Sequence, residues 1–397
     1  MTCPLEVRNL IQIGDTTYCA TGGGLLLFQN PKFEVLTTVD GLHGIDLFQV
    51  SRDSYNNIWF GGKAPFGFVQ IYDFDKNSVE VFDYGLTEIT KFSLRDSIAF
   101  ASFIDGQDLG LIKWIYYDNK WSYRDIYRNF PITFESINGV EIISGKIFIG
   151  TDSGLIVADI RDNLKDPNSW ELISDEYISS IDAMHRIENG FIFISNRRMY
   201  KVIPINDTIQ YEQLEVQIPV GFSAFIVDDD DFVWGLHNKK VYSQKNNFDP
   251  IDTGKILYDL ALDNHGNIIV GSELGLIEIN SNSYEQKNYI PNAPATGKFS
   301  AIKVLKDGRF IGASAKGISI KDFDGWRNIA EIKNENSNII NLSYDYNSFI
   351  SDTVSYDFGD AVSDIEEGPD DLIYFAIEGT FPALSNPTRI GGGIIIV

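Results

Sequence analysis

One short pattern recurs along the whole chain: a hydrophobic or aromatic strand, a glycine-rich turn and a second strand. It reads Tyr18-Cys-Ala-Thr-Gly-Gly-Gly-Leu25, Asn57-Ile-Trp-Phe-Gly-Gly62, Lys146-Ile-Phe-Ile-Gly-Thr-Asp-Ser-Gly-Leu155, Asn267-Ile-Ile-Val-Gly-Ser-Glu-Leu-Gly-Leu276 and Arg309-Phe-Ile-Gly-Ala-Ser-Ala-Lys-Gly317. A unit of this size made only of short strands cannot bury its own apolar face. It must stack on its neighbours, and the radial stack of a β-propeller is the usual solution.

Alignment of the apolar residue two before each turn gives Tyr18, Trp59, Phe100, Phe148, Phe193, Trp234, Ile269, Phe310 and Tyr374, with steps of 41, 41, 48, 45, 41, 35, 41 and 64 residues. All but the last suit a four-stranded blade. Each unit opens with an innermost strand, such as Leu47-Phe-Gln-Val50 or Ile256-Leu-Tyr-Asp-Leu-Ala-Leu262. A tight turn follows, such as Asp53-Ser-Tyr-Asn-Asn57, Asp263-Asn-His-Gly-Asn267 or Lys306-Asp-Gly308, whose Asp, Asn and Gly supply positive φ and side-chain-to-backbone bonds. The second strand is almost continuously apolar, as a strand covered on both faces must be. A third strand, Phe68–Tyr72 or Leu155–Asp159, precedes a more polar fourth that often opens on tryptophan: Trp121, Trp170, Trp326. These tryptophans could serve as carbohydrate platforms, but recurrence at one place in the repeat favours packing between blades.

The expected fold is therefore all-β: a seven-bladed propeller of four-stranded blades over residues 1–291, then the start of a second, truncated propeller over 292–397. An eight-bladed single ring is the alternative. The long last step, with Asn334-Glu-Asn-Ser-Asn338 and the acidic, Tyr-rich stretch to Tyr356, reads as a long loop or a transition between propellers. Composition agrees, with 34 Gly, 13% aromatics and only 3 Met. The net charge of −24 would repel phosphate backbones and anionic lipid, which disfavours nucleic acid and a broad membrane-facing patch. No run reaches transmembrane length, and no basic region followed by an apolar stretch marks a secretion signal. Cys3 and Cys19 could pair if their strands lie side by side; two isolated thiols are the simpler expectation.

Gly22-Gly-Gly-Leu25, Asp40-Gly-Leu42, Asn57-Ile-Trp-Phe-Gly61 and Gly266-Asn-Ile-Ile-Val-Gly271 together resemble the two-component-regulator propeller repeat. The opening blade is most similar to the N-terminal propeller of PorZ-type components of the type IX secretion system. That resemblance implies a multi-propeller protein at the cell surface or in the periplasm, binding rather than catalysing. Its implied partners are secretion or envelope proteins and an anionic glycan or lipopolysaccharide. A sensing propeller of a two-component regulator is the second expectation.

Enzymatic chemistry has little support in the residues. The four histidines, His43, His185, His237 and His265, lie in different units and read as turn or surface residues; no Gly-x-Ser-x-Gly elbow is present. No Cys or His pair has zinc-ligand spacing, and Asp228-Asp-Asp-Asp231 reads as a solvated hairpin rather than a cation site, so neither metal nor cofactor is expected. Sialidase-type and lyase-type propellers are the enzymatic competitors, but the assignable inner strands carry few arginines, and Ser51–Trp59 only weakly echoes an Asp-box turn. One local feature opposes the global charge. Arg197-Arg198 and Lys239-Lys240 fall at equivalent turns of successive units, so they are expected on one rim as an anion site; solvated hairpin residues are the plainer reading.

Overall fold

The structure, a computed structural model, describes residues 2–63, 66–73, 78–173, 178–205, 208–314, 317–335, 338–344, 362–368, 372–377 and 393–396. Strands dominate, and the only helical elements among the described residues are three 3₁₀ turns. The chain divides into two compact units, Glu6–Asn288 and residues 289–397 with 1–5. The division falls slightly before the residue 291 of the sequence reading, and the first five residues group with the second unit.

In the first unit, seven four-stranded antiparallel sheets follow one another, each from a contiguous stretch of chain. Their innermost strands are Val7–Ile13, Leu47–Arg52, Glu88–Arg95, Ile137–Ile143, Ile181–Ile187, Ala224–Val227 and Leu257–Leu262, blades 1 to 7. Each packs beside the next, and the strand of blade 7 packs beside that of blade 1. The fold is a seven-bladed propeller.

The second strand explains the stacking. Ile58–Gly62, Gly190–Ser195 and Ile268–Ser272 are buried at every position, with Trp59, Phe193 and Trp234 among the fully enclosed side chains. The repeat's glycine does more than shape a turn. A Cβ on Gly61, Gly150 or Gly271 would come within 2.7 Å of the following blade's innermost strand, at Ile89, Ile181 and Val7 respectively. Gly271 thus gives the seam between blades 7 and 1 the same close approach that Gly61 and Gly150 give inside the ring.

Turn chemistry ties the layers together. Asp53 accepts from the backbone N–H of Tyr55 and Asn57, from Asn57 Nδ2 and from the indole of Trp59 at 3.0 Å. It also accepts the indole of Trp121 in blade 3 at 2.7 Å. Asp228 repeats the arrangement with Asp230 N, Phe232 N and Trp234 Nε1, and adds an ion pair with Lys245 at 2.9 Å. Trp121, Trp170 and Trp326 are buried and serve packing. Cys3 and Cys19 are not joined in a disulfide.

The second unit contains a five-stranded sheet, Ala301–Val304, Phe310–Ser314, Gly317–Asp322, Gly325–Glu335 and Asn338–Tyr344, and a three-stranded sheet, Val362–Glu367, Ile373–Ile377 and Gly393–Ile396. Leu305, Ile311, Ile318, Val362, Ile365 and Phe375 form the core between them. Part of the stretch expected to be a long loop or a transition between propellers is paired strand. Residues 325–335 and 338–344 pair as strands, with Glu331 opposite Leu342 and Lys333 opposite Ile340, so Asn334, Glu335 and Asn338 lie in paired strands. The part of that expectation beyond Tyr344, up to Tyr356, lies outside the described residues.

Candidate functional site in the central channel

The inner strands of blades 1, 2, 3, 4, 5 and 7 each carry a register shift at the same place, between Val7 and Asn9, Leu47 and Gln49, Ile89 and Lys91, Ile137 and Gly139, Ile181 and Ala183, and Leu257 and Asp259. A bulge increases the local twist and re-aims the side chain that follows. Asn9, Gln49, Ala183 and Asp259 accordingly line the central channel, a cavity of about 520 Å³ that also receives Lys91, Asn138, Glu141, His185 and Arg186.

Two networks cross this channel. Arg186 of blade 5 donates to Glu141 Oε2 of blade 4 through Nε at 2.9 Å and Nη2 at 2.7 Å. It also reaches blade 3, where Nη1 donates to Leu94 O at 2.6 Å and Nη2 to Ser93 Oγ at 3.0 Å. One guanidinium fastens three blades. Opposite it, Asp259 Oδ2 of blade 7 accepts from Asn9 Nδ2 at 2.5 Å and from Leu10 N at 3.0 Å, while Asn9 Oδ1 accepts from Val50 N of blade 2 at 2.8 Å.

Burial dominates the titration of this interior. It raises the Glu141 carboxyl against the opposing pull of Arg186, Arg95 and Ser93. It raises Asp259 against the bond from Leu10 N, the charge of Lys91 and the bonds from Leu260 N and Asn9. It lowers His185, which also feels Arg186, to about 4, so this imidazole is neutral at pH 7. The ring packs against Phe225 of blade 6, centroids 5.6 Å apart.

His185 therefore departs from the turn-or-surface expectation. The others fit it better: His265 lies in an exposed turn, His43 is exposed with its edge on Phe68, and His237 Nδ1 bonds Gly221 O at 2.8 Å beside a hairpin. Each inner strand carries at most one arginine, with Arg8, Arg52, Arg95 and Arg186 on four of the seven. They do not converge: Arg8 pairs with Asp46 at 2.6 Å, Arg52 donates to Asn56 in a turn, and of the four only Arg186 lines the cavity.

The four cations singled out in the sequence occupy hairpins between second and third strands. Arg197 is an exposed turn residue with φ of 61°, beside Asn196 at 51°; Arg198 starts the third strand of blade 5. Lys239 is exposed in the equivalent turn of blade 6, its carbonyl accepting from Thr253, and Lys240 starts the next strand opposite Asp252. A cleft beside Arg197 and Arg198 is walled by Gln213, Glu215 and Gln217 of their own blade, and neither lysine lines it. Sequence reasoning missed Lys91, Glu141, His185, Arg186 and Asp259. The available signal was a polar residue opposite the repeat's strand on an otherwise apolar innermost strand.

No protein-family model matches this chain, and no curated protein does. Solved structures share its fold. The chain is similar to PorZ, an essential surface component of the type IX secretion system of Porphyromonas gingivalis, with 12% identity and a TM-score of 0.60, covering 98% of this chain and 59% of that one. It is also similar to the extracellular domain of the putative hybrid two component system BT4673 from B. thetaiotaomicron, with 13% identity and a TM-score of 0.51, covering 95% of this chain and 50% of that one. The chain thus spans between half and three-fifths of these structures. At such identities the likeness is one of fold.

Proposed function

We propose that this chain is a non-enzymatic binding scaffold of the cell envelope, at the cell surface or in the periplasm, holding secretion or envelope proteins in the manner of a PorZ-type component. The observation that carries the reading is the likeness to PorZ over 98% of the chain. The channel supports the absence of catalysis: Glu141 is engaged by Arg186, Asp259 by Asn9 and a backbone N–H, and no arginine triad faces the axis among the described residues. Affinity capture from envelope extracts, followed by identification of bound proteins, tests it. Turnover of a glycan that Glu141→Gln abolishes would overturn it.

An anionic glycan, lipopolysaccharide included, is the proposed second partner, held at the rim bearing Arg197, Arg198, Lys239 and Lys240. Single exposed ion pairs are worth about 1 kcal/mol or less, so several must act together. Replacement of all four by Ser should weaken lipopolysaccharide binding and its salt dependence and leave the melting temperature nearly unchanged. Unaltered binding would remove the rim from the proposal.

The likeness to the BT4673 extracellular domain favours a second reading, a ligand-sensing module of a two-component regulator. The coding region on either side of this segment separates the two: a sorting domain supports secretion, and a membrane helix followed by a kinase supports sensing. No helix among the described residues is long and apolar enough to cross a membrane.

A further inference from the structure

The channel holds two opposite charges that no ion pair neutralises. Among the described residues Asp259 has only neutral donors, Asn9 Nδ2 and the backbone N–H groups of Leu10 and Leu260. Lys91, on the inner strand of blade 3, lines the same cavity and makes no hydrogen bond or ion pair with the described residues. The two stand beyond the 4.0 Å of a direct salt bridge, yet the lysine's charge acts on the carboxylate. The other charged pair, Arg186 and Glu141, is closed on itself at 2.7 Å.

Polar capacity is left over as well. Gln49 and His185 line the cavity and make no side-chain hydrogen bond with the described residues, and Asn138 donates through Nδ2 to Ile181 O at 2.8 Å. Neutral imidazole offers one donor and one acceptor, and a primary amide offers both. Between these stations the wall is apolar, with Phe92, Met184 and Phe225 lining it. A volume of about 520 Å³ lies within the range of small-molecule sites.

We propose that the central channel binds a small zwitterion of the α-amino-acid type, its ammonium group on Asp259, its carboxylate on Lys91 and an apolar side group against Phe92 and Met184. A net-neutral ligand carrying both charges satisfies each lone charge without adding a third. A simple anion would leave Asp259 alone, and a simple cation would leave Lys91 alone. Gln49 and His185 supply the remaining bonds. This inference stands apart from the envelope scaffold reading and survives its failure.

The test uses the full chain and three probes, L-leucine, L-methionine and L-phenylalanine, each at about 10 mM in a thermal-shift assay and then by calorimetric titration. At least one is expected to raise the melting temperature saturably. N-acetyl-leucine and leucinamide, each lacking one charge, are expected to bind at least about tenfold more weakly than leucine. Lys91→Gln should cause a similar loss with little change in the unliganded melting temperature. Asp259→Asn should do so too, and the two blocked probes test the same station if that variant fails to fold. Absence of binding by all three amino acids overturns the proposal, as does binding that is unchanged by Lys91→Gln or equal for the blocked probes.

Discussion

The innermost strands of the two units share a backbone and differ in what they present. In the ring, Asp259 lies opposite Gly271 and faces a polar channel. In the second unit, Ile302 lies opposite Gly312 at the corresponding register, and Ile302 and Val304 are 56% and 63% exposed. The repeat motif therefore specifies blade geometry alone, and chemistry is written at a few inner-strand positions that the motif leaves open. A closed ring can bury charges there because neighbouring blades supply bonds. The described sheets of the second unit carry one apolar and one acidic residue at these stations, Ile302 and, after the same bulge, Asp364 opposite Ala376, and both are exposed to solvent rather than enclosed by neighbouring blades.

The largest test of this contrast is separation. A chain ending at Pro291 is expected to be soluble and to melt cooperatively, because all seven blades draw their strands from earlier residues, whereas residues 292–397 alone should show no sharp transition. Aggregation of the shorter chain would mean that a later segment covers an edge of the ring. Next in size is Trp234→Ala, which empties a fully buried site in the ring and should cost about 3–5 kcal/mol in denaturant titration. Trp326→Ala, in the second unit, should leave the ring's transition in place. Equal effects on that transition would erase the distinction between units.

Arg186→Met should cost the ring about 3 kcal/mol, since it strands Glu141 and removes the tie across blades 3, 4 and 5. Adding Glu141→Gln should recover a good part of that loss, and a double-mutant cycle showing simple additivity would contradict the pairing. The smallest effect concerns pH. His185 sits near 4 when folded against a usual 6.5, so between those values the unfolded chain binds the extra proton and stability falls as pH falls. The full window is worth at most about 3 kcal/mol, reduced by whatever solvent screening the ring feels. Glu141 and Asp259, both raised, act in the opposite sense. The readout is therefore the difference between the native chain and His185→Gln, and parallel pH profiles from 6.5 to 4 would refute the channel placement of this imidazole.

Much of the fold was legible because each blade is local. Tyr18, Trp59, Phe148 and Ile269 stand in second strands, where the glycine pattern placed them. The residues 325–344 were harder, since Asn and Glu depress strand propensity and the pairing is with a neighbouring hairpin arm that composition does not advertise. The channel was illegible for another reason. Arg186 meets Leu94 O across 92 positions of sequence, and Asp53 meets Trp121 across 68. Periodicity says that a strand is innermost; it does not say which polar residues of seven such strands will face one another. His185 was misjudged for this reason, since only the ring turns a lone histidine between Met184 and Arg186 into an interior group.

The hydrogen bonds from Asn9 and Leu10 to Asp259 span 250 and 249 positions. No strand is exchanged between the first and last blades, so side chains and close backbone approach must hold the loop of blades shut. Contacts of such separation form late, after the intervening chain has lost most of its freedom. Asp259 is consequently both the clasp of the necklace and a wall of its central opening, and occupancy of that opening would report directly on whether the clasp is fastened.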